Sequence, residues 1–397
     1  MTSARRLPFL NARLQGFGTS IFSEMTQLAV KHSAVNLGQG FPNFSGPKDL
    51  LQVASDSIVK RELNQYSRSF GLPQLTSSIK NRFKLTQNLE YNDQNEITVF
   101  SGATEAIFAI FASVLELGDE VIIFEPHYDS YRPSINAAGG KEKIITLRKS
   151  AQDQRFTFDK GELTSAISPK TKAILINSPN NPTGSVFTNE ELAFIADLCI
   201  KHDCIAVSDE VYEYIVFDGL KHKSIASFPG MKDRTITISS AGKTFSVTGW
   251  KIGWALASKD LTNAIRTSHQ FITFCSATPF QYAIADALNF NEEFFEDLRS
   301  SYENKRNKLC SGLEKIGFKV IQPQGTYFTQ VDVSDMCKSL KIKGDVEFCK
   351  FLVEKLGVCG IPSSAFYSWN ISTSYVRFAF CKTDDVLEEA LERLKRI

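Results

Sequence analysis

Between residues 97 and 239, short apolar runs alternate with longer helix-like stretches, and this rhythm limits the possible folds more than any other property of the chain. The runs ITVF (97–100), VIIF (121–124), AILIN (173–177), IAVS (205–208) and TITIS (235–239) are rich in β-branched residues. They are apolar at successive positions rather than at every second one, which suits strands of a parallel sheet covered on both faces. Segments such as 105–117 and 189–202 lie between them and carry helical patterning. Alternation of this kind predicts a right-handed, doubly wound α/β domain. The remainder reads differently. A long polar helix is expected over 291–313, strands over 319–321, 326–331 and 375–380, and a closing helix over 384–396. These make a smaller α+β domain. The expected division is a large domain over 46–287, with residues 1–45 and 288–397 forming an N-terminal arm plus the small C-terminal domain.

Composition narrows the function. The formal net charge of the 397 residues is +1, which removes the electrostatic case for nucleic acid or an anionic membrane. No apolar run approaches the length that spans a bilayer, and residues 1–10 lack the apolar stretch of a secretory leader. The eight cysteines form no C-x-x-C pair and no histidine cluster joins them. Free thiols in a reducing cytoplasm are expected, and no metal site.

In open parallel sheets, ligands bind beyond the carboxyl ends of the strands. Five successive predicted strand ends carry small, polar or ionisable residues: SGATE (101–105), EPHY (125–128), NSPNNPTG (177–184), DEVY (209–212) and SAGKT (240–244). Ser101-Gly102 can serve as a strand-to-helix turn, or, with Thr104, as a seat for an anion on a helix N-terminus. Gly242-Lys243-Thr244 ends like a nucleotide P-loop, but Thr237 stands where that motif needs its first glycine. No G-x-G-x-x-G or G-x-S-x-G sequence occurs, which counts against a dinucleotide site and a hydrolase elbow.

The ordered set NLGQGFP (36–42), NQY (64–66), SPNNPTG (178–184), SDEVY (208–212), SAGKTF (240–245), TGWKIGW (248–254) and YVRF (375–378) resembles the class I aminotransferases of pyridoxal-phosphate (PLP) fold type I. SGATEA (101–106), EPHYDSY (125–131), HQFITF (269–274) and DVEFC (345–349) are similar to the methionine aminotransferases and their kynurenine–glutamine transaminase relatives. The resemblance implies an α/β fold with a mostly parallel, doubly wound sheet, and it implies roles. Lys243 would carry the cofactor and move the substrate α-proton, which needs an amine of depressed basicity. Asp209 would pair with the cofactor ring nitrogen. Tyr212 and Asn181 would hydrogen-bond the ring oxygen, and Tyr128 would stack on the ring. The backbone of Ala103, with Thr104, Ser240 and Lys251, would hold the phosphate, joined by Tyr66 from the second subunit of a homodimer with shared sites. Arg377 would grip the substrate α-carboxylate, with Asn181 and Gly38 beside it. Phe22, Phe274 (from the other subunit) and Phe366 would line the side-chain pocket, which suits methionine, aromatic or glutamine-like amino acids. The expected reaction is ping-pong transfer of the amino group to a 2-oxo acid. A PLP-dependent carbon–sulfur β-lyase of the same fold is the alternative.

Overall fold

The structure is a computed structural model that describes residues 7–17, 21–368 and 373–397. Residues 1–6, within the stretch tested above for a leader, lie outside the described residues.

A seven-stranded sheet forms the centre of the large domain. In chain order its strands are β1 (Ile97–Phe100), β2 (Glu120–Glu125), β3 (Lys141–Thr146), β4 (Thr171–Asn177), β5 (Ile205–Asp209), β6 (Thr235–Ser240) and β7 (Gly253–Leu256). Their spatial order is β1-β7-β6-β5-β4-β2-β3. β7 is antiparallel to both of its neighbours, and the other pairings are parallel. Successive side chains of a strand leave opposite faces. Ile122, Phe124, Ile174 and Ile176 therefore join the core on one side, and Val121, Ile123, Ala173 and Leu175 the core on the other. Both faces are dry, which is why these strands read as unbroken apolar runs.

The five expected strands form, each within a residue or two of its expected ends. Two more strands complete the sheet. β3 is an edge strand whose first residues are charged and solvated, so it lacks the apolar run of its neighbours. β7 begins at Gly253, and its register places that glycine between Phe100 of β1 and Ser240 of β6. The helix expected over 105–117 runs instead from Gly102 to Val114. The main chain turns helical as soon as β1 ends, because the Glu105 carboxylate accepts the N–H of Ser101 at 2.7 Å. The helix Asn189–Lys201 starts with a capping box in which Thr188 and Glu191 exchange side-chain-to-backbone hydrogen bonds.

The chain then enters the 25-residue helix Glu292–Ile316 and a four-stranded sheet. Its strands are β8 (Lys319–Ile321), β9 (Phe328–Asp332), β10 (Ile361–Pro362) and β11 (Tyr375–Ala379), in the order β8-β9-β11-β10. The strand expected from 326 starts at Phe328, because Thr326 takes a left-handed conformation. The helix Ile21–Lys31 contributes Met25 and Ala29 to the same core as these strands. Val35 and Asn36 pair in parallel with Val358 and Cys359.

Candidate active site

At the carboxyl ends of the central strands lie two adjoining cavities of about 230 Å³ and 330 Å³. Tyr128, Asn181, Tyr212 and Lys243 form walls of both. The inner one receives residues from beyond β1, β2, β4, β5 and β6, and so gathers the polar strand ends noted above.

Lys243 stands in the short helix Ala241–Thr244 that follows β6. Ser240 caps that helix, its hydroxyl accepting the N–H of Gly242 at 3.2 Å. The Lys243 ammonium lies 5.7 Å from the ring centre of Tyr212 and 5.6 Å from that of Tyr327. Burial among these rings lowers its pKa to about 8, against the pull of Cys381 and Asp209 and with the help of the cations Arg377 and Lys251.

Asp209 ends β5 and is 4% exposed. Its Oδ2 accepts the Tyr131 hydroxyl at 2.6 Å. Burial raises its pKa to about 6, although Tyr131, the Val211 N–H and Lys243 oppose the shift. Asn177, at the end of β4, braces the region. Its amide donates to the Asp209 carbonyl at 3.0 Å, and its Oδ1 accepts the Asn181 N–H at 2.8 Å. Burial holds the Tyr212 hydroxyl well above the ordinary tyrosine range.

Gly102, Ala103 and Thr104 open the helix after β1, and Thr104 Oγ1 lies 3.3 Å from the Tyr128 hydroxyl. Lys251, in a left-handed conformation, folds over this turn, so that a Cβ on Gly102 would stand 3.0 Å from Lys251 Nζ. A Cβ on Gly253 would come within 2.7 Å of Ala103 N. Only glycine at 253 allows β7 to approach the helix start this closely. Free N–H groups of a first helical turn beside an ammonium form an anion seat.

Arg377 on β11 supplies the outer cavity. It is 3% exposed and donates to Asn181 Oδ1 at 2.9 Å and to the Gly38 carbonyl at 2.7 Å. Its Nε is buried without a hydrogen-bond partner among the described residues. The guanidinium lies 3.9, 4.7 and 5.5 Å from the ring centres of Phe328, Phe366 and Phe22. Burial lowers its pKa to about 10, still far above neutrality. Phe22 and Phe366 meet edge to face at 5.3 Å.

Eleven of the fifteen sequence-predicted residues line these cavities, and Gly38 and Phe366 adjoin them through Arg377. Tyr66 and Phe274 do neither. They pack edge to face at 5.4 Å on the surface of the same chain, 83% and 44% exposed. Tyr131, Asn177, Asp129, Gln39 and Phe328 also belong to the site and were given no role from the sequence, although all but Phe328 fall inside quoted blocks: Gln39 in NLGQGFP, Asp129 and Tyr131 in EPHYDSY, and Asn177 in NSPNNPTG.

An anion seat, a buried carboxylate, an amine of lowered basicity and an arginine that makes no salt bridge among the described residues together fit a phosphorylated cofactor with an aldehyde and a basic ring nitrogen, next to an amino-acid carboxylate. Residues 32–394 match the aminotransferase class I and II family. The chain is 41% identical to a probable N-succinyldiaminopimelate aminotransferase of Mycobacterium tuberculosis, covering 96% of this chain and 97% of that one. It is 40% identical to human kynurenine–oxoglutarate transaminase 3, covering 99% of this chain and 92% of that one. An Escherichia coli protein whose crystal structure and reactivity identify a methionine aminotransferase function superposes with a TM-score of 0.92 at 34% identity, over 98% of this chain and 99% of that one.

Proposed function

Since the chain belongs to the class I and II aminotransferases, with their PLP fold type I and PLP cofactor, we propose that it moves the amino group of methionine, or of an aromatic or glutamine-like amino acid, to a 2-oxo acid by a ping-pong mechanism. The observation that carries this reading is Arg377, a buried cation lining the outer cavity whose Nε has no hydrogen-bond partner and which makes no salt bridge among the described residues. Its paired donors suit an α-carboxylate, and Asn181 and the Gly38 carbonyl hold it in place.

When bound, PLP supplies an aldehyde for the amino group and an electron-withdrawing ring. The chain supplies the rest. Lys243 would hold the cofactor through its amine and, once the substrate amino group takes its place there, would move the substrate α-proton at the freed Nζ, which its lowered basicity permits near neutral pH. Asp209, positioned by Tyr131, pairs with the ring nitrogen. Tyr212 and Asn181 serve the ring oxygen, and Tyr128 the ring face. The backbone of Ala103, with Thr104, Ser240 and Lys251, holds the phosphate.

Phe22, backed by Phe366, presents an apolar wall to the side chain, and Asp129 lines the same cavity. A second carboxylate on the substrate would meet Asp129, which favours neutral side chains. The relatives named above are transaminases, which favours transfer over carbon–sulfur β-elimination. Exposed Tyr66 and Phe274 suit a homodimer in which the partner's Tyr66 reaches the phosphate and the partner's Phe274 the side-chain pocket. Eight free thiols, seven of them buried, fit a reducing compartment such as the cytoplasm.

Initial rates with L-methionine and a varied 2-oxo acid test the reading. Parallel double-reciprocal lines and a higher kcat/KM for methionine than for aspartate are expected. Intersecting lines would exclude ping-pong transfer, and a preference for aspartate would overturn the proposed substrate class.

A further inference from the structure

Glu105 lies in the first turn of the helix Gly102–Val114, one residue beyond Thr104. A carboxylate so close to an anion seat opposes the seat's purpose unless its charge is cancelled. His269 is placed to cancel it. Glu105 Oε1 lies 2.7 Å from His269 Nδ1, and the two side chains are 9% and 1% exposed. His269 Nε2 lies 2.7 Å from the carbonyl oxygen of Ser69. A carbonyl only accepts, so Nε2 bears a proton, while Nδ1 faces a carboxylate whose other oxygen already accepts the Ser101 N–H. Thr273 Oγ1 also stands 3.3 Å from Nδ1, and Phe100 packs edge-on at 4.8 Å. Arg266, one turn earlier on the helix Lys259–Ile272, is turned instead to Thr98 Oγ1 and the Ile97 carbonyl. The basic group that faces Glu105 is therefore His269.

We propose that His269 is a positioning residue for the cofactor phosphate. Protonated at both ring nitrogens, it neutralises Glu105, so that a phosphate meets the charge of Lys251 and the helix N-terminus undiminished. It also ties the segment that carries Ser69, and Tyr66 three residues earlier, to the seat. Its own carbonyl accepts the N–H groups of Thr273 and Phe274, each at 3.2 Å, so both surface aromatics of the proposed dimer hang from this residue. The inference rests on the reading that Ala103, Thr104 and Lys251 hold the phosphate.

Equilibrium dialysis of the full-length holoenzyme tests it. His269→Gln should raise the Kd for PLP at least about tenfold, because it leaves Glu105 as an uncompensated buried charge beside the anion. Glu105→Gln in the same chain should restore most of the affinity, since two neutral amides remain. Loss in the single variant without recovery in the double would make the pair mere packing and overturn the proposal. Wild-type affinity in His269→Gln, with weakened binding in Lys251→Ala, would overturn it while leaving the phosphate seat in place. Wild-type affinity in both would overturn the seat, and this inference with it. Should His269→Gln fail to fold, nitrogen-15 NMR of the wild-type holoenzyme decides. The expected spectrum at pH 7.5 has both His269 ring nitrogens protonated, and a singly protonated ring contradicts the proposal.

Discussion

Lys243 and Asp209 are held in the fold against their ordinary preferences. Burial lowers the amine to about 8 and raises the carboxyl to about 6. In cofactor-free protein, Lys243 should react with an acylating reagent along a titration centred near pH 8, rather than near ~10.4 as for exposed lysines. Peptide mapping of the labelled protein across pH checks this. The sign for Asp209 is unfavourable to the fold. Its folded value of about 6 exceeds the unfolded value of about 3.9, so its ionisation costs stability increasingly from pH 4 to 6, and fully above that. Asp209→Asn should therefore stabilise the cofactor-free chain by on the order of 2 kcal/mol at pH 7.5 and hardly at all at pH 4, while activity falls at least ~100-fold. Urea unfolding at the two pH values would show it. A variant less stable than wild type at pH 7.5 would mean that the Tyr131 hydrogen bond matters more than the buried charge.

At the scale of elements, the site exists because six strands point the same way and a seventh runs back between β1 and β6. Gly253 is the hinge of that arrangement. Gly253→Ala would drive a Cβ to within 2.7 Å of Ala103 N. It should cost about 1–3 kcal/mol of stability and weaken PLP binding, measured by thermal unfolding with and without the cofactor. The sequence made five of the seven strands visible because both of their faces are buried. It hid β3, which lies at a solvated edge, and β7, which is four residues long and begins with a glycine. The same limit applies to the site. Lys243 and Asp209 stood out because ionisable residues end apolar strands, whereas Arg377 stood out only through the family resemblance. Tyr131 and Asn177 did not, because their work is done through hydrogen bonds to strands far off in sequence. His269 was visible only as part of a block, since its partners Glu105 and Ser69 are more than 160 residues away.

For the whole molecule, one chain presents Tyr66 and Phe274 outward while its own cavities are lined without them. Phe274→Ala should lower kcat/KM for methionine several-fold more than for alanine, because a long side chain uses an aromatic wall that a methyl group cannot reach. Equal losses would remove Phe274 from the pocket. Sedimentation should find a dimer, and a stable, fully active monomer would remove the shared site altogether.

The most direct test of the central claim, that Lys243 holds PLP in a site that takes up an amino group, is the absorption spectrum of the purified protein. It is recorded before and after L-methionine is added without an acceptor, and again after a 2-oxo acid. The expected result is a cofactor band in the visible or near ultraviolet that methionine abolishes and the oxo acid restores, and that is lost from a Lys243→Ala variant. A protein that shows no such band even after incubation with PLP, or whose Lys243→Ala variant keeps the band and its response, would contradict the claim.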